Sequence, residues 1–221
     1  MDSQNTAPAP RLALWTCVAV MVALVIAAAF AAAPRPAPRF HGTTYTQVLP
    51  AAEFALTDHD GRPVSLRSYR GAPVLLFFGY THCPDVCPLT LDKLTRALRT
   101  AGGSVKDVRI LLVTLDPARD TPAALKTYAS RFGPAVVGLT GDSAGLAKAR
   151  QGYGAYITQA PAQPAAHAHG AHAQPTAAAA LKTVHPGAVY GIDRHGNLQV
   201  VISDAATPEQ VVDDVRTLSR L

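Results

Sequence analysis

Residues 73–98, PVLLFFGYTHCPDVCPLTLDKLTRAL, constrain the fold more than any other stretch of the chain. The run 73–80 is continuously apolar and rich in β-formers, which reads as a strand buried on both faces. It ends where Cys83 and Cys87 begin. Beyond them Leu91, Leu94 and Leu98 recur at helical spacing until Gly102 and Gly103 stop the pattern. A strand with no polar face needs a covering layer on each side.

The rest of the C-terminal sequence supplies those layers. The stretch 52–66, AEFALTDHDGRPVSL, predicts a hairpin about Asp60-Gly61. A second buried strand is expected over 108–115, then a helix over 121–132 that Thr121 caps with Pro122 at its first position. A short strand over 135–140 and a helix beginning at Asp142 follow. The segment 188–203 alternates as two strands, and 207–221 reads as a capped amphipathic helix. This order gives an α/β class fold, a sheet covered on both faces.

The first 48 residues read as lying outside that fold. Residues 1–11 form a short tail, and 12–33 carry no charge. As a helix the latter would be about 33 Å long, enough to cross the hydrocarbon layer and long for a cleaved signal peptide. Ala31-Ala32-Ala33 resembles a cleavage site, but Pro34 directly behind it disfavours cutting there. Arg11 on one side faces Arg35 and Arg39 on the other, so charge does not set the orientation; export of the C-terminal part is inferred from the domain. Cys17, inside the span, reads as a small apolar residue. Residues 34–48 form a Pro-rich spacer in which His41 is a solvated linker residue, leaving 49–221 as the folded domain. The formal charge of +5 is modest and the basic residues are scattered, which argues against nucleic acid as a partner.

Cys83 and Cys87 carry the chemistry. At a strand end leading into a helix N-terminus, backbone N–H groups and the helix dipole favour thiolate. Pro88 is expected at the first helical position, with Pro84 shaping the turn before it. Four-residue spacing over a helical turn separates the Cα atoms by about 6 Å, within reach of a disulfide. The pair could bridge, hold one metal ion, or simply fill space. A four-cysteine zinc site lacks its further ligands, whereas two thiolates suit Cu(I), zinc or an iron–sulfur centre if a third ligand comes from elsewhere. His185, at a loop-to-strand junction, is better placed for that than His82, beside Cys83, or than His59 and His195 in turns.

FGYTHCPDVCPLTL, LLVTLDPARDTP (111–122) and VHPGAVYGIDRHGNL (184–198) together resemble the signature segments of the Sco/SenC family of membrane-anchored copper chaperones. The resemblance covers about 50–221 and the N-terminal anchor. It implies a thioredoxin-like fold with an added N-terminal hairpin and a long insertion before the C-terminal β-hairpin, behind a transmembrane helix. It also implies copper, as Cu(I) or Cu(II), bound by Cys83, Cys87 and His185, with no catalytic turnover required. The site would face the periplasm or an equivalent outer compartment from a single-pass inner-membrane anchor. The implied partners are a copper donor protein and the copper-bearing subunit of cytochrome c oxidase, whose binuclear centre such proteins serve.

Two departures from the family pattern stand out. Val184 and Pro186 flank His185 where an acidic and a hydroxyl residue are usual, and Pro186 restricts the backbone of the ligand. Residues 159–180 form a Pro/Ala/His-rich insertion that cannot build a core, and its His167, His169 and His172 could capture copper and pass it inward. Asp116 and Asp120 follow a buried strand at the cysteine end of the sheet; each either supports the metal site or forms a turn or helix start. Asp85, inside the cysteine turn, could accept backbone N–H bonds as an Asx turn. The competing function is a thiol-disulfide oxidoreductase or peroxide-reducing enzyme, for which the cysteine pair suffices and His185 is dispensable.

Overall fold

A computed structural model describes residues 10–32, 38–155, 157–159, 181–183 and 187–221. Two units separate within it, one ending at Pro38 and the other running from Arg39 to Leu221.

The first unit contains helix α1, Pro10–Ala32. Its side chains are described over 14–28, and all of them are exposed. That stretch covers about 22 Å of axis. Among the described residues no helix is long and apolar enough to cross a membrane.

The second unit is built on an eight-stranded mixed sheet in the order β1-β10-β9-β4-β5-β6-β2-β3. The strands are β1 (Thr43–Pro50), β2 (Ala55–Asp58), β3 (Pro63–Ser65), β4 (Val74–Gly79), β5 (Arg109–Thr114), β6 (Val136–Thr140), β9 (Val189–Ile192) and β10 (Asn197–Ile202). β7 (Ile157–Gln159) and β8 (Leu181–Thr183) form a separate two-stranded ribbon. The helices are α2 (Val86–Ala101), α3 (Pro122–Ser130), α4 (Ser143–Gly152) and α5 (Pro208–Leu218).

β4, β5 and β6 run parallel, and β9 joins β4 antiparallel. Every residue of β4 is buried. Side chains alternate across a strand, so Leu75 and Phe77 face α2, α3 and α5, while Val74, Leu76 and Phe78 face α4 and the rings of Tyr153 and Tyr190. The expected α/β, thioredoxin-like architecture with the added β2–β3 hairpin is therefore present.

Three expectations are corrected. The spacer over 34–48 does not end at residue 48, because Thr43–Pro50 pairs with β10 as an edge strand. Thr, Tyr and Val suit a strand, and Pro50 falls at its end, where a missing donor costs little. His41 is not a free linker residue: its N–H donates to buried Asp214 Oδ1 at 2.7 Å, and its ring lies 3.6 Å from Asp213. Pro88 stands third in α2 rather than first. It is tolerated there because the first four N–H groups of a helix have no intrahelical partner.

Candidate metal centre

The cysteine turn sits where the central parallel strands end. β4 finishes at Gly79 and Leu115 N–H donates to Gly79 O at 2.8 Å, so the exits of β4 and β5 are level. Gly79 is required by packing: a Cβ there would stand 2.9 Å from Cys87 Sγ and 2.8 Å from the Phe77 ring. Cys83 N–H then closes onto Tyr80 O at 3.2 Å, and α2 begins at Val86.

Both cysteines are free thiols. Cys87, at the second position of α2, is 4% exposed, whereas Cys83 is half-buried. Cys87 N–H donates to Cys83 Sγ at 3.4 Å, which aims one orphan helix donor at the outer sulfur. The two thiols differ as acids. Burial pushes Cys83 up, but the N–H groups of Asp85 and Cys87 and the side chains of Cys87 and Tyr80 outweigh it and hold Cys83 below an ordinary thiol. Burial pushes Cys87 up strongly, Cys83 and Asp120 add to the rise, and only the Tyr80 backbone opposes it. Cys83 is thus the more acidic of the two sulfurs and Cys87 the more desolvated.

A carboxylate knot holds the turn from below. Asp120 is 0% exposed. Its Oδ1 accepts Thr81 Oγ1 at 2.6 Å, and its Oδ2 accepts Thr114 Oγ1 at 2.6 Å and Thr81 N–H at 3.1 Å. One buried carboxylate therefore joins the second residue after β4, the last residue of β5 and the segment leading into α3. Asp116 is tied instead to Arg119 and to Thr114 Oγ1, which accepts its N–H at 2.9 Å. Asp85 is the N-cap of α2, but its side chain makes no capping hydrogen bond, so the expected Asx turn does not form. Its backbone is turned to φ −140°, ψ −75°, and it is the Asp85 N–H that serves Cys83.

His82 is exposed and lies 2.9 Å from Thr81 Oγ1. His59 accepts Gly138 N–H at 3.1 Å, and exposed His195 occupies the β9–β10 turn. Among the described residues no three His, Cys, Asp or Glu side chains converge on one metal position. His185 and the insertion histidines His167, His169 and His172 lie outside the described residues. Gly187, two residues beyond His185, is buried with φ +86°, and a Cβ there would lie 3.3 Å from Val86 Cγ1 at the start of α2. Sequence reasoning missed Tyr80, Thr81 and Thr114; two threonines at the exits of neighbouring buried parallel strands were the available signal.

The SCO1/SenC family model matches residues 43–220. A mitochondrial SCO2 homolog of Bos taurus is 34% identical over 166 residues, covering 74% of this chain and 58% of that protein. The chain thus spans less than two thirds of the length of the curated relatives it matches first. The copper-bound ScoI structure of Bradyrhizobium japonicum is 34% identical, with a TM-score of 0.61 over 77% of this chain and 99% of that one. The apo Sco1 solution structure from Thermus thermophilus is 29% identical, with a TM-score of 0.67 over 83% and 99%. A family model that takes in all but the N-terminal stretch, on a sheet that presents two cysteines at the expected exit, identifies the chain as a member of the SCO1/SenC family.

Proposed function

We propose that this chain is a copper carrier that holds its cargo between Cys83, Cys87 and His185 and passes it to the copper-bearing subunit of cytochrome c oxidase. The observation that carries the ligand set is the nearness of Gly187 to Val86: a Cβ on Gly187 would stand 3.3 Å from Val86 Cγ1, so the chain two residues after His185 passes beside the residue preceding Cys87. β9 then runs antiparallel to β4, with Val189 opposite Phe77, so Gly187 and Ala188 ahead of β9 lie toward the cysteine end of the sheet. The donor set suits the ion, since two thiolates and an imidazole fit Cu(I) at low coordination. The copper named for the ScoI relative supports the same reading.

The acid difference between the thiols gives an order to loading. Cys83, already poised toward thiolate, engages the ion, and Cys87 then releases its proton to become the second ligand. Uptake therefore liberates protons and weakens as pH falls. In the same proposal α1 is a membrane anchor. From Leu12 to Ala33 the sequence has no charged residue, a length of about 33 Å as helix. The C-terminal unit then works on the outer face of the membrane.

One observation favours a second reading. A half-buried, acidified Cys83 beside a buried Cys87 is also the arrangement of a dithiol reductase. His185→Ala separates the two. For the carrier, copper affinity falls by more than the roughly 10–100-fold that loss of a supporting group costs, while disulfide reduction persists. Copper affinity equal to that of the parent removes His185 from the ligand set.

A further inference from the structure

Lys93 stands two turns into α2, half-buried, and among the described residues its ammonium pairs with no carboxylate. The adjacent Asp92 is taken by Arg96 at 2.7 Å. Lys93 Nζ instead donates to two backbone carbonyls, Asp204 O at 2.6 Å and Ala206 O at 3.1 Å. Hydrogen bonds from an ionised donor are shorter and roughly twice as strong as neutral ones. Both carbonyls belong to the turn between β10 and α5, which Ala206 N–H closes onto Ser203 O at 3.2 Å. Lys93 adds two bonds to that turn and ties it to α2.

The turn lies toward the cysteine end of the sheet. β10 finishes at Ile202, opposite Val189, and Val189 stands opposite Phe77 of β4. There the turn bounds Gly187, which is buried with φ +86°. A Cβ on Gly187 would stand 2.8 Å from Asp204 Cβ on one side and 3.3 Å from Val86 Cγ1 on the other. Val86 and Lys93 are seven residues apart, which puts them two turns apart on one side of α2. The same side of one helix therefore bounds Gly187 twice, directly through Val86 and, by way of the Lys93 ammonium, through Asp204.

We infer that Lys93 is a positioning residue for the metal site: by holding the Asp204–Ala206 turn to α2 it fixes Gly187, the point at the cysteine end of the sheet from which the chain runs back to His185. Two residues of chain span at most about 7 Å, so fixing Gly187 confines the His185 backbone to that radius. A ligand segment that is in place only part of the time weakens binding of its ion by that fraction. Lys93 thus acts on copper retention without touching the ion. This role rests on the carrier reading above, in which His185 is a ligand.

The test compares Lys93→Met with Lys93→Arg in the full chain, first without metal and then with it. In the metal-free protein the amide order parameters of Gly187 and Ala188 are expected to fall from about 0.85, the value of rigid backbone, to below about 0.6 in Lys93→Met, while Leu75, Leu76 and Phe77 keep the parent's values and Lys93→Arg behaves as the parent. Cu(I) affinity, measured by competition with bicinchoninate, is expected to fall about tenfold in Lys93→Met, as for a ligand segment in place about a tenth of the time, and to recover in Lys93→Arg. In a His185→Ala background the same Lys93→Met change should alter affinity less than about twofold, because the coupling runs through the histidine. Should Lys93→Met not fold, Lys93→Gln, uncharged and one methylene shorter, carries the same comparison. Order parameters at Gly187 and Ala188 equal to the parent's overturn the inference, as does an equal loss of affinity in both backgrounds. If His185→Ala binds copper as tightly as the parent, the ligand set of the carrier reading fails, and the order parameters alone decide whether Lys93 fixes Gly187.

Discussion

Asp120→Ala is the most informative perturbation of the cysteine turn. The wild-type carboxylate is fully buried and accepts from three donors, Thr81 N–H, Thr81 Oγ1 and Thr114 Oγ1. A hydrogen bond to a charged acceptor contributes about 1.5–3 kcal/mol net. The two hydroxyls can rotate toward other acceptors after truncation, but the Thr81 N–H is fixed by the backbone and is left unsatisfied. Removing the carboxylate also removes the cost of burying its charge, which offsets part of the loss. These terms leave a destabilisation of about 3–5 kcal/mol for Asp120→Ala and about 1–2 kcal/mol for Asp120→Asn, which keeps one acceptor oxygen. At about 2–4 °C per kcal/mol for a chain of this size, alanine lowers the melting temperature by roughly 6–20 °C. Urea unfolding followed by circular dichroism measures it, with the slope unchanged and the midpoint lowered. A loss under about 1 kcal/mol for alanine, or asparagine behaving no better than alanine, would refute the view that this charge ties the strand exits together.

Gly79→Ala forces a methyl against Cys87 Sγ and Phe77, at 2.9 and 2.8 Å, and is expected to cost about 1–3 kcal/mol in the same assay and to alter the reactivity of Cys87. Asp193 organises the β9–β10 turn. Burial raises it, but the N–H groups of Asn197 and His195 and the side chains of Gln199 and Asn197 bring it below the ordinary 3.8. Its contribution is therefore fully present above pH 4 and is lost as pH falls through the lowered value, so Asp193→Asn should flatten the acid limb of the stability profile. An acid limb identical in the two proteins would contradict this. Asp214→Ala should release the segment before β1, seen as faster amide exchange at His41 and Gly42, whose N–H groups it accepts at 2.7 and 3.1 Å.

The elements visible in the sequence were those whose pattern is set by burial. Val74–Gly79 is apolar throughout because both of its faces are covered, and Thr121, Asp142 and Thr207 announce helices because their side chains accept the N–H three residues on. β1 was hidden because TTYTQVLP follows a Pro-rich stretch and has no buried alternation of its own; pairing with β10 makes it a strand. The site was legible as two cysteines at a helix start, a position whose free N–H groups favour thiolate. Its support was not. Thr81 and Asp120 are 39 residues apart, and no local pattern tells a threonine that caps a turn from one that binds a buried carboxylate. The unequal acidity of Cys83 and Cys87 likewise depends on which backbone donors the folded turn points at each sulfur.

The small ribbon of β7 and β8 has a practical consequence. Ile157 faces Thr183 and Gln159 faces Leu181, so the two ends of the His-rich segment are already stapled side by side and belong to no strand of the main sheet. Loop-closure entropy grows only logarithmically with length, so once the ends are pinned further residues add little cost. Evolution could therefore lengthen, shorten or rewrite that segment without renegotiating the rest of the molecule, and a reporter could be spliced there for the same reason.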